Sequence, residues 1–182
     1  MKTKTKMKIA IDPGHSGPYE PGACAEGVTE AQVALAIAER TERILTKAGQ
    51  EVLLTRIGDI KDDSLLWRAE VANLWGASLF VSLHANSFTD PAAHGTEVWH
   101  YSGSSGGIRL ARSIQSKIVR RLHTADRGVK PAEFTVLSAT DCPAVLIETA
   151  FLSNPVDRTL LTSPQFQEQF AVAIAEGIEE YV

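Results

Sequence analysis

Hydrophobic residues along this chain alternate between two periods. Short apolar and β-branched runs at Lys8–Asp12, Glu51–Thr55, Ser78–His84, Thr96–Tyr101 and Ala144–Glu148 have the length and residue types of strands. Between most of them, apolar residues return every three or four positions, as on a helix with one buried face. The first helix follows Thr29, whose T-x-x-Q spacing to Gln32 forms a capping box; Val33, Ile37, Ile44 and Leu45 make its inner face and Gly49 stops it. A second runs from about Asp63 to Trp75 with Leu65, Ala69 and Ala72 inward, and a third from Ser105 to Leu122 on Ala111, Ile114, Ile118 and Leu122. The last covers Pro164 to Tyr181 with Phe166, Phe170, Ile174 and Ile178 spaced by fours. This alternation predicts an α/β fold of three layers, a mostly parallel twisted sheet with helices on both faces. Without internal repeats or Pro/Gly-rich linkers, residues 1–182 read as one domain.

Composition narrows the partners. Eighteen basic against 22 acidic side chains give a formal charge of -4, which lacks the basic footprint of a nucleic-acid binder. The start, "MKTKTKMKIA", has the lysines of an export signal but no apolar h-region, and no run approaches a membrane span. The two cysteines, Cys24 and Cys142, are too isolated for a C-x-x-C pair or a cysteine-based zinc site and are read as free thiols.

Candidate chemistry collects at strand ends. "IAIDPGHSG" leaves its apolar run through a Pro-Gly bend at His15, "SLFVSLHAN" ends on His84, and "PAVLIETAF" ends on Glu148. In an open α/β sheet the carboxyl ends of the strands share one edge, where ligands bind, so residues distant in sequence converge there. Glu30, in the first turn of the helix after the His15 loop, is the fourth candidate, although the helix dipole alone favours an acid there. Two imidazoles and one carboxylate suit Zn²⁺ with a position left for water, and a second, uncoordinated acid is needed to move protons. Glu30 and Glu148 divide those two roles.

The segments "IDPGHSG", "EGVTEAQVALAIA", "LLTR", "WRAEVAN", "FVSLHAN", "HGTEVWHY", "RGVK" and "PAVLIETAFLSNPVD", in this order, resemble the zinc-dependent N-acetylmuramoyl-L-alanine amidases of bacterial cell-wall and phage lytic enzymes. D-P-G-H with a following E, H-A-N and a late L-I-E-T is the specific part; "LLTR" alone is weak. The resemblance implies that His15, Glu30 and His84 are zinc ligands and Glu148 the catalytic acid/base. It further implies peptidoglycan as substrate, the amide between the lactyl group of N-acetylmuramic acid and L-alanine as the bond cleaved, and action at the cell wall; a monomer is the expectation, although no residue pattern reports on oligomeric state. Ser16 stands where the family usually has a second glycine, and the "YEPGACAEGV" loop is this chain's own.

Alternatives remain at this point. A carboxypeptidase-like or deacetylating zinc hydrolase would use the same ligands, and a wall-binding module could keep the fold without catalysis, although all four site positions are filled. Asn86 could orient a ligand or simply form a turn. Arg68 is read as pairing on the helix surface, Glu97 and His100 as a solvent face, His94 and His123 as surface residues, and Trp67, Trp75 and Trp99 as core packing before glycan contact.

Overall fold

The computed structural model describes residues 6–61 and 64–182. Six strands form one sheet: β1 (Lys8–Pro13), β4 (Glu51–Leu54), β5 (Leu79–Asn86), β6 (Thr96–Tyr101), β7 (Asp126–Ala132) and β8 (Ala144–Phe151), in the order β4-β1-β5-β8-β6-β7. The first four strands of that order are mutually parallel; β6 pairs antiparallel to β8, and β7 parallel to β6. The two-residue strands β2 (Cys24–Ala25) and β3 (Val28–Thr29) form a small hairpin in the loop after β1.

Helix α1 (Glu30–Lys47) starts on the capping box of Thr29 and Gln32, while α3 (Ser105–Leu122) and α6 (Pro164–Tyr181) match their predicted bounds. Helix α2 (Leu65–Trp75) is capped by Ser64 and ends at Gly76; its expected start, Asp63, lies outside the described residues. The short helices α4 (Thr135–Ser138) and α5 (Pro155–Leu161) and strand β7 were not foreseen. Leu65, expected to face inward, is 56% exposed; the buried residues of α2 are Arg68, Ala69 and Ala72.

The layers are unequal, and that inequality makes room for a site. Odd-numbered strand residues such as Ile9, Ile11, Val81 and Val145 form one large core with α1, α3 and α6. Ala10, Phe80, Ala144 and Leu146 face the other way and form a smaller core with Ala72 of α2 and Val136 and Leu137 of α4. Side chains alternate along a strand, so Asp12, Ser82, His84 and Glu148 fall on this second face. Eleven residues of α2 and four of α4 cover the beginnings of these strands and leave their carboxyl ends open. After β1 the chain crosses to β4 on one side, and after β5 it leaves toward β6 on the other. The β1/β5 boundary is therefore a topological switch point, where a crevice opens in such sheets.

Candidate active site

A cleft of ≈ 690 Å³ occupies that crevice, with Asp12, His15, His84, Arg68 and Glu148 among its lining and Tyr19, Leu65 and Phe134 at its apolar walls. Three side chains from three elements converge in it. His15 stands on the turn after β1, Glu30 is the first residue of α1, and His84 lies near the end of β5. One donor atom from each lies within 4.8 Å of the others, the spacing of a possible metal-binding triad. Glu30 Oε1 is 2.9 Å from His15 Nε2 and 2.8 Å from His84 Nδ1, and it also accepts from Ala85 N–H at 3.1 Å. Glu30 Oε2 accepts from Ala23 N–H at 2.9 Å.

The local backbone is shaped for this convergence. His15 has φ 64, in the left-handed region that a non-glycine residue occupies only when its surroundings hold it there. A Cβ on Gly14 would lie 2.4 Å from the His84 ring, so only glycine lets the turn pass that close. At Gly22, with φ 68, a Cβ would come within 2.5 Å of the His15 ring and 2.6 Å of Glu30 Oε2. Glu20 Oε2 is 2.5 Å from His15 Nδ1; a proton on Nδ1 leaves Nε2 as the coordinating nitrogen, the outer-shell arrangement common around metal-bound histidine. Glu20 was missed in the sequence because no spacing rule marks an acid in a loop five residues beyond a histidine.

Charge follows from this geometry. Burial works against a charged His15, but Glu30 and Glu20 outweigh it and raise its pKa above the ordinary value. Burial also opposes ionisation of Glu30, yet hydrogen bonds from both imidazoles hold its pKa well below the usual carboxylate range. Glu148 differs: burial pushes its carboxyl up to about 7, against the pull of His84 and with a further push from Glu30 and Glu97. Its Oε2 is enclosed and finds no hydrogen-bonding partner among the described residues. A buried carboxyl oxygen left unpaired beside a cluster of nitrogen and oxygen donors is the signature of a group arranged to meet something from outside the chain. The donor set and that orphaned oxygen fit a divalent cation with an accompanying water.

Beneath the cleft lies a polar network. Asp12 Oδ1 accepts from Thr55 Oγ1 at 2.5 Å and Arg68 Nη1 at 2.8 Å, and its Oδ2 accepts from Ser82 Oγ at 2.7 Å. Arg68, expected on the helix surface, is buried; it also donates to Pro13 O at 2.8 Å and His15 O at 2.6 Å. Glu97, expected toward solvent, is only 3% exposed. It takes Asn86 Nδ2 at 2.9 Å, Arg127 Nε at 2.9 Å and Lys130 Nζ at 2.5 Å, which offset the cost of burying its charge. His100 is buried too, with Nδ1 2.9 Å from Tyr101 O, whereas His94 and His123 are exposed as expected. Burial is incomplete at all three tryptophans: Trp99 packs on the smaller core and against Phe134, and Trp67 is 37% exposed. Cys24 and Cys142 are free thiols.

A mixed α/β sheet whose strand-end cleft gathers three possible metal ligands defines an α/β protein with a candidate metal centre. Residues 9–180 match the family model described as N-acetylmuramoyl-L-alanine amidase. The chain is 37% identical over 175 residues to the N-acetylmuramoyl-L-alanine amidase LytC of Bacillus subtilis (strain 168), covering 95% of this chain and 35% of that one. The chain thus spans about a third of that relative's length. An N-acetylmuramoyl-L-alanine amidase structure from Clostridium difficile 630 superposes with a TM-score of 0.92 at 32% identity, covering 97% of this chain and 96% of that one. The amidase AmiC2 of Nostoc punctiforme gives 0.91 at 35% identity, with 98% of each chain covered. The chain belongs to the N-acetylmuramoyl-L-alanine amidase family, and it is an enzyme. No described helix is long and apolar enough to cross a membrane.

Proposed function

We propose that residues 1–182 act as a zinc amidase catalytic domain at the cell wall, with His15, Glu30 and His84 as the metal ligands and Glu148 as the general base and acid. The substrate is peptidoglycan, and the bond cleaved joins the lactyl carbonyl of N-acetylmuramic acid to the nitrogen of L-alanine. The observation that carries this reading is the convergence of three ligand atoms within 4.8 Å in the cleft that Glu148 also lines. When bound, Zn²⁺ supplies Lewis acidity that polarises a carbonyl and brings the pKa of a water down to about 7.

The chain's own residues then account for the proton traffic. Glu148, whose carboxyl burial pushes up to about 7 in the metal-free chain, would be ionised at neutral pH beside a bound cation and takes a proton from the attacking water as the new C–O bond forms. As the C–N bond breaks, the same carboxyl returns that proton to the departing alanine nitrogen, so water is split between a lactyl carboxyl and a free amine. Glu20 keeps Nε2 of His15 directed inward, and Arg68 holds the carbonyl of His15, so the ligand does not swing out. The apolar walls at Tyr19, Leu65 and Phe134 exclude bulk water and seat the substrate.

Digestion of purified peptidoglycan with mass analysis of the released material tests this. New L-alanine amino groups without new reducing ends are expected. New reducing ends alone would make the enzyme a glycosidase, and D-alanine as the main product would make it a carboxypeptidase.

A further inference from the structure

The ligands proposed above come from separate elements, and their spacing has to be set by something. We propose that Arg56 is a positioning residue that fixes the separation of His15 from Glu30 through a single guanidinium. Arg56 follows β4 and is buried. Its Nε donates to Pro13 O at 3.0 Å, and its Nη1 to Gly58 O at 3.1 Å. Its Nη2 donates to two carbonyls at 2.9 Å each, Gly14 O and Ala31 O. Gly14 immediately precedes His15, and Ala31 immediately follows Glu30. One nitrogen therefore ties the backbone beside one ligand to the backbone beside the other.

No other contact described above does this. The backbone at the start of α1 also bonds through Glu30 N–H to Ala23 O and Ala31 N–H to Pro21 O, both in the intervening loop and not in the His15 turn. Arg68 grips the same turn through Pro13 O and His15 O and pairs with Asp12 at the end of β1. The left-handed backbone of His15 is strained and persists only where neighbouring contacts hold it. Arginine suits the task because its donors are fixed in a planar fork, whereas a lysine ammonium is a point charge on a flexible stem. Replacement by lysine keeps the buried positive charge and removes the fork.

This inference rests on the reading of His15, Glu30 and His84 as a zinc site, and the test separates the two. Zinc affinity of the parent, Arg56→Lys and Arg56→Gln is measured by competition with a chromophoric chelator, alongside far-ultraviolet circular dichroism and the visible absorption of cobalt-loaded protein. Outer-shell partners are worth about 10–100-fold in metal affinity, and Arg56→Lys is expected to fold, to lose at least tenfold in zinc affinity, and to alter the cobalt spectrum. A folded Arg56→Lys with a smaller loss, or with an unchanged cobalt spectrum, overturns the proposal. If the lysine variant does not fold, Arg56→Gln decides by the same criteria, and failure of both to fold makes Arg56 a stability residue and overturns it equally. A parent that binds no zinc overturns the metal-site reading instead.

Discussion

His84 and Glu148 stand side by side at the same register position of the parallel pair β5 and β8. Neighbouring strands lie about 5 Å apart, so the proposed ligand and the proposed base are placed by backbone pairing and not by loop geometry. Both point to the face that α2 and α4 leave uncovered. The relationship separates the two roles: His84 belongs to the cluster around Glu30, while Glu148 sits beside it with one oxygen unpaired.

Loss of a ligand is expected to empty the site without unfolding the protein. His84→Ala removes one of three donors while leaving the apolar strand around it intact, so metal content after gel filtration should drop far below one equivalent. Acidification should act in the same direction, since the raised pKa of His15 lets protons compete with the metal. Stoichiometric zinc and full activity in His84→Ala would remove His84 from the site.

Stability should also report on Glu148. Its pKa in the folded chain, about 7, lies above the ordinary 4.5, so the folded state holds the proton more tightly than the unfolded state. The associated stability is complete below about pH 4.5 and is lost as pH rises through 7. In chelator-treated protein, Glu148→Gln should therefore be more stable than the parent at pH 8, by on the order of 3 kcal/mol, with the gap closing toward pH 4. Urea melts at the two pH values measure it, and a gap independent of pH would contradict the burial argument.

Close backbone approach gives a third expectation. Gly14→Ala places a methyl 2.4 Å from the His84 imidazole, and either the turn or the ring must move. Because the core below is untouched, the circular dichroism spectrum should stay native while zinc affinity falls by about 10-fold or more, within the range seen when metal surroundings are disturbed. Parent-like affinity would show that the turn relaxes freely.

Much of this arrangement was legible in the sequence, for definite physical reasons. Helices α1, α3 and α6 carry a capping residue and a 3.6-residue apolar stripe, both local signals, and His15, His84 and Glu148 end runs whose strand character is equally local. Strand β7 gives no such signal: Asp126, Arg127, Gly128, Lys130 and Pro131 surround one β-branched residue, Val129, and the strand survives because it is an edge where proline is tolerated. The reversed direction of β6 was invisible because alternation has no polarity. Arg68 and Glu97 were misread for a different reason. A charged residue is buried only when its partners arrive, and those partners are distant: Asp12 is 56 positions from Arg68, and Lys130 is 33 from Glu97.

The Asp12–Arg68 pair should be costly to break and cheaper to remove whole. Arg68→Met leaves the buried Asp12 carboxylate with only the hydroxyls of Thr55 and Ser82, and is expected to cost about 3–5 kcal/mol. Asp12→Asn with Arg68→Met should cost less than the sum of the single changes, which a double-mutant cycle from urea melts would show. Strict additivity would mean that the ion pair contributes nothing of its own.

Glu148→Gln distinguishes a base from a ligand. The substitution keeps size and shape while removing the titrating oxygen, so the fold and the metal content should match those of the parent. Turnover should not survive: acid–base assistance is worth about 10²–10⁴-fold, and a carboxyl serving both proton transfers belongs toward the upper end. The rate of the parent should rise with pH as Glu148 ionises, with a midpoint below the value of about 7 that burial gives it in the metal-free protein because a bound cation favours the carboxylate, and that limb should vanish from any residual activity of the variant. Peptidoglycan turnover and metal analysis on the same preparations decide the matter. An emptied metal site would make Glu148 a ligand, and turnover near the parent rate would move the proton transfer to another group.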